Sequence, residues 1–103
     1  MSKKDQVRRV SIDCSGLDKP QMLRALADAL SFEEHFGANF DALYDSLADN
    51  LQEYGALELE LTNWSGLRMA RHNREILLSI FEDMQEELEP GMLKVKIVER
   101  VIG

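Results

Sequence analysis

Apolar residues recur at every second position in three stretches of this chain and at every third or fourth position in the segments between them. Val10, Ile12 and Cys14 alternate with Arg9, Ser11 and Asp13, the period of a strand with one buried face. Leu57, Leu59 and Leu61 alternate with Glu58 and Glu60 after the turn signal Tyr54-Gly55, giving a second strand. Leu93, Val95 and Ile97 alternate with Lys94 and Lys96 as a third. Helical spacing fills the gaps. Met22, Leu23, Leu26 and Leu30 follow Asp18, Pro20 and Gln21, an acidic cap with proline in the first turn, and predict a helix from about Lys19 to Leu30. Ser31 and Glu34 fit a capping box that would open a short helical turn. Gly37 interrupts, and Asn39 caps a second helix whose stripe is Phe40, Leu43, Leu47 and Leu51. The stretch from Trp64 to Arg71 is ambiguous and could be a short helix. The strongest amphipathic pattern, Ile76, Leu77, Ile80, Phe81, Met84 and Leu88, predicts a helix over Asn73 to Leu88, stopped by Pro90-Gly91.

A strand, helices, strand, helix, strand order implies an α/β fold with a parallel sheet, and three alternating strands imply that only one sheet face is buried. All helices must then lie on that face. Right-handed crossovers on a single side lay the strands down in sequential order, 1-2-3. The charges agree, because this order sets Glu58 and Glu60 on the wet face between Arg9 and the pair Lys94 and Lys96.

Composition bounds the class. The 103 residues suit one domain spanning 1–103, with the polar residues 1–6 expected to lie disordered ahead of the first strand. An apolar share of 45% and a charged share of 30% are ordinary for a globular protein, and no apolar run approaches the roughly 18 residues of a membrane span. The N-terminus lacks the apolar stretch of a secretory signal, and a lone cysteine, Cys14, cannot close an intramolecular disulfide; both point to the cytoplasm. Cys14 and Trp64 are expected in the core.

Charge changes the picture more. The net charge is −7, and no lysine or arginine occurs between Arg24 and Arg68, whereas Glu33, Glu34, Asp41, Asp45, Asp49, Glu53, Glu58 and Glu60 all fall there. Asp41 and Asp45 stand four apart on the second helix, where like charges repel by roughly 0.2–0.5 kcal/mol. Folding gains nothing from that pair. At about 100° per residue they lie away from the apolar stripe, with Tyr44 at the border. A solvated helix face would account for the carboxylates alone. The rings of His35 and Phe36 and the small Gly37, just before the helix, add the mixture found in binding surfaces and favour a cationic visitor. Arg68, Arg71, His72 and Arg74 form a basic cluster before the last helix, read either as solvated or internally paired arginines or as a second contact surface. No catalytic motif joins His35, His72, Asp41 and Asp45, and no calcium-loop pattern is present, so neither enzyme nor metal site is expected. Net negative charge without a second basic stripe disfavours nucleic acid.

The run Phe36-Gly37-Ala38-Asn39-Phe40-Asp41-Ala42-Leu43-Tyr44-Asp45-Ser46-Leu47 resembles the signature of the barstar family, intracellular inhibitors of ribonuclease, in which an aromatic-Gly-x-Asn-Leu-Asp-Ala-Leu-Trp-Asp run occupies the equivalent helix. The resemblance extends along the chain in element order, although identity is thin outside this motif. It implies a two-layer α/β sandwich on a three-stranded parallel sheet. It also implies a 1:1 complex, without cofactor or metal, with a small basic ribonuclease whose active site is plugged by the second helix and its preceding loop. By position, Asp45 would be the central phosphate mimic and Asp41 a second ion-pairing group. Tyr44 would be the aromatic contact where the family usually has Trp, and His35 the ring where it has Tyr. Gly37 and Asn39 would shape the loop. Asp83 matches a family glutamate at the periphery of the contact, with a shorter reach. Fast, salt-sensitive binding is implied by the same resemblance, barnase and barstar being themselves the reference case. The alternative is a barstar-like interaction module with a cationic partner that is not a ribonuclease.

Overall fold

Strands that alternate leucine with charge can cover only one face, and the architecture follows from where that face is covered. The computed structural model describes residues 7–32, Gly37 and 39–99. Its elements run β1 (Arg8–Asp13), α1 (Lys19–Leu30), α2 (Phe40–Tyr54), β2 (Leu57–Thr62), α3 (Arg71–Glu87) and β3 (Leu93–Ile97), with a 3-10 turn at Trp64–Gly66 between β2 and α3. The strands are parallel in the order β1-β2-β3, as the alternation and crossover argument requires. On the outer face Arg9 stands opposite Glu58 and Glu58 opposite Lys94, while Ser11, Glu60 and Lys96 form the next row. Arg9 Nε lies 3.4 Å from Glu58 Oε2. So exposed a pair contributes at most about 1 kcal/mol. The register is held more firmly by the opposite face, since a one-residue slip would turn every β2 leucine to water.

That opposite face is the core. Leu57, Leu59 and Leu61 of β2 are wholly buried in one cluster with Leu43, Leu47 and Leu51 of α2, Leu23 and Leu26 of α1, and Leu77, Phe81 and Met84 of α3. Each such side chain stabilises the fold by about 1.5–3 kcal/mol. α1 lies against β1, α3 against β3, and α2 touches both other helices. Trp64 is buried in the same cluster. Cys14 is wholly buried beside Met22, and burial pushes its thiol up to about 11, which makes it an inert core residue.

The helix ends show where local signals sufficed. α1 opens on a capping box, with Asp18 Oδ1 accepting from the Gln21 N–H and Gln21 Oε1 from the Asp18 N–H, both at 3.0 Å. Its far end corrects one expectation: Ser31 does not open a new helical turn. It closes α1 in the left-handed conformation, φ 57°, where its own N–H bonds the Ala27 carbonyl. An N-cap needs extended backbone, so Ser31 cannot also serve as one. Glu34, the other half of that expected box, lies outside the described residues, as do His35, Phe36 and residues 1–6. α3 begins at Arg71, two residues before the expected Asn73, and its N-cap, Ala70, has no side chain able to announce it.

Candidate functional site

The N-terminus of α2 is built by a short local circuit. Asn39 Oδ1 accepts the Ala42 N–H at 2.7 Å, capping the helix, while its Nδ2 reaches back to the Gly37 carbonyl at 3.4 Å. A Cβ at Gly37 would stand 3.2 Å from that Nδ2 and crowd the cap, which accounts for glycine there. Beside the cap, Lys19 Nζ sits 4.6 Å from the centre of the Phe40 ring and ties the start of α1 to the start of α2. With Leu43, Leu47 and Leu51 drawn into the core, helical geometry turns Asp41 and Asp45 outward, and both are exposed. Asp49 and Glu53 continue the same i, i+4 row and are exposed too. Each step of four residues drifts about 40° around a helix of 3.6 residues per turn, so the row winds about 120° from Asp41 to Glu53. It starts near the α3 border of α2 and ends near the α1 border.

On the α3 side the row meets a second set of carboxylates. Tyr44 is half-buried at the border of α2 and α3, where its phenol lies close to Glu87 of α3. Partial burial first, then the charges of Glu87, Asp83 and Asp45, hold the phenol above its ordinary value of 10. Tyr44, Asp45 and Asp83, named separately from sequence, are therefore neighbours across a helix pair. Glu87 was not foreseen. Its signal was the i+4 spacing from Asp83 along α3, which cannot be recognised before the two helices are known to face one another.

Among the described residues the ion pairs are Arg9–Glu58 and Arg71–Glu75, and neither Asp41 nor Asp45 takes part in one. The basic cluster corrects a second expectation. Arg71, His72 and Arg74 do not precede the last helix; they form its first turn, with Arg68 just ahead. Arg71 is held by Glu75 at 3.2 Å, an exposed i, i+4 pair, so part of the cluster is internally balanced. Among the described residues no group of three His, Cys, Asp or Glu is placed to hold a metal ion, and no helix is long and apolar enough to cross a membrane.

Comparison with known proteins bears on fold and family separately. No curated protein matches the chain significantly. Among solved structures, the Aeropyrum pernix ORC2 protein in its ADP form superposes with a TM-score of 0.68 at 17% identity over 94% of this chain, a likeness of fold alone. This chain spans only 27% of the length of that one. A family described as Barstar (barnase inhibitor) matches residues 7–99, from the start of β1 to just beyond β3. Because that match takes in every strand and helix of the fold, the chain belongs to the barstar family.

Proposed function

We propose that the chain is a cytoplasmic inhibitor of a small basic ribonuclease, binding it 1:1 without a cofactor and seating α2 and the residues ahead of it in the nuclease active site. One observation carries this reading. Asp41 and Asp45 project to solvent from a rigid, well-capped helix, repel each other, and find no counter-ion among the described residues. Family membership supports the same assignment, since the family is described as one of barnase inhibitors. A ribonuclease active site must present cations to hold RNA phosphate, and fixed carboxylates at helical spacing answer that chemistry. Asp45 takes the central phosphate-mimicking role and Asp41 the second ion pair. Tyr44, at the α2–α3 border beside Glu87, supplies the aromatic contact. Asp83 extends the acidic surface at the edge, Gly37 and Asn39 shape the approach, and His35 adds a ring ahead of them.

The test is capture from a lysate of the source organism, followed by titration of the captured protein in an RNA-cleavage assay. Wild type should suppress cleavage. Asp45→Ala should weaken the complex by about 10- to 100-fold, the range expected from losing a hydrogen bond to a charged group, about 1.5–3 kcal/mol. Arg71→Ala should leave it unchanged. The opposite pattern would move the interface to the start of α3. A captured cationic protein without nuclease activity would instead establish the second reading, an interaction module of the same fold with a different target.

A further inference from the structure

The sheet ends on two open edges, β1 and β3, because β2 stands between them. Along a strand of a parallel ladder, alternate residues turn their backbone groups to the same neighbour. The Arg8 N–H bonds the Ala56 carbonyl at 3.0 Å and the Cys14 N–H the Thr62 carbonyl at 2.8 Å, so the even-numbered residues of β1 face β2. Arg9, Ser11 and Asp13 therefore direct both N–H and C=O away from the sheet, and among the described residues no strand pairs with them. Their side chains are exposed on the outer face. Such an edge is a template for another strand unless something guards it, and β1 carries neither proline nor lysine.

The two edges respond differently to a two-fold axis. Residues opposed across an antiparallel junction share a sheet face, so the axis must pass through a residue. On β3 an axis at Val95 sets Lys94 against Lys96 twice, and an axis at either lysine sets that lysine against itself. Like charges directly opposite destabilise, so β3 repels its own copy. On β1 an axis at Ser11 sets Arg9 against the partner's Asp13 and Asp13 against the partner's Arg9. Moving the axis to Val10 or Ile12 opposes Arg9 or Asp13 to Ser11 and forms neither charge pair. With the axis at Ser11, the outer row Lys94, Glu58, Arg9 continues into the partner's Asp13, alternating in sign throughout. On the inner face the half-buried Val10 meets the partner's Ile12.

We propose that two copies of this chain associate through β1, antiparallel about a two-fold axis at Ser11, and join their sheets into one. Arg9, Ser11 and Asp13 exchange backbone bonds with the partner's Asp13, Ser11 and Arg9, a self-complementary junction of the kind a two-fold dimer requires. Both bonds that Asp13 accepts within its own chain end on Oδ1, which leaves Oδ2 for the partner's Arg9. No residue assigned to the nuclease contact lies on β1, so the proposal does not rest on inhibition and its test uses no nuclease.

Sedimentation velocity of the full chain, from micromolar to millimolar concentration, should show monomer giving way to dimer. In hydrogen exchange followed by NMR, the Arg9, Ser11 and Asp13 amides should gain protection as concentration rises, and those of β3 should not. Ser11→Pro removes an outward N–H and no bond to β2, so it should abolish the dimer and keep the wild-type circular dichroism. Arg9→Asp and Asp13→Lys each set like charges opposite at both ends of the junction, and each should weaken dimerisation by about tenfold or more. Mixed one to one, these two variants again place opposite charges at both ends and should form a heterodimer. Asp45→Ala, which tests the nuclease reading, should dimerise as wild type does. If either charge variant fails to fold, Ser11→Pro and the exchange pattern decide the case. A chain that stays monomeric throughout, a dimer indifferent to Ser11→Pro, a mixture of folded variants that associates no better than its components, or protection gained at β3 instead of β1 would overturn the proposal.

Discussion

Asp45→Asn should make the free protein more stable. Asp45 has a like-charged neighbour one turn away on each side, Asp41 and Asp49, and further negative charge from Asp83 at Tyr44. Each i, i+4 repulsion costs about 0.2–0.5 kcal/mol, so neutralising the shared member relieves about 0.4–1 kcal/mol. Asn and Asp have similar helix propensities, so the backbone contribution nearly cancels. For a domain of this size the gain corresponds to a rise in Tm of about 2–8 °C. Urea unfolding followed by circular dichroism should show a higher midpoint with an unchanged slope. The gain should shrink in 1 M salt, where the screening length falls to about 3 Å. Asp41→Asn is the internal control. It relieves one repulsion, but Asp41 also stands in the first turn of α2, where a carboxylate interacts favourably with the helix dipole by about 0.3–1 kcal/mol. Its net effect should lie near zero. If Asp45→Asn destabilises the protein, or its gain is insensitive to salt, then Asp45 serves the monomer, and the argument that it is kept for a partner fails.

Two further outcomes follow from the same geometry. Asn39→Ala removes the 2.7 Å cap on the Ala42 N–H and should cost about 1 kcal/mol by urea unfolding; an unchanged midpoint would show that the cap does not hold α2. Asp13 Oδ1 accepts from Asn63 Nδ2 at 2.9 Å and from the Ser15 N–H at 3.0 Å, and these bonds, Asn63 first, hold its carboxyl below the ordinary 3.8. Because the folded value is depressed, this contribution to stability is present above the ordinary carboxylate value and is lost as pH falls through the folded one. An NMR pH titration should place Asp13 below 3.8 and return it toward that value in Asn63→Ala; identical curves would remove Asn63 as the cause.

What could be read before any coordinates was everything carried by local periodicity. The span of α1, the strand alternation and the Asn39 cap depend on residues within about four positions of one another, and the strand order follows because only one sheet face could be apolar. The same reasoning misread Ser31. A serine followed three residues later by glutamate satisfies a start signal, but the final carbonyls of α1 had the prior claim on its backbone. The early start of α3 was invisible because alanine carries no capping group.

The acidic character of α2 was likewise fixed along the chain, since side-chain spacing on a helix is set by its pitch. What lies on either side of that helix was decided only by folding. Glu87 beside Tyr44, Arg8 against Tyr54, and Asn50 bonded to the Leu30 carbonyl at the end of α1 join residues 20 to 46 positions apart. Such pairings arise from how three helices settle on one sheet face, a consequence of core packing that no periodicity in a single segment encodes.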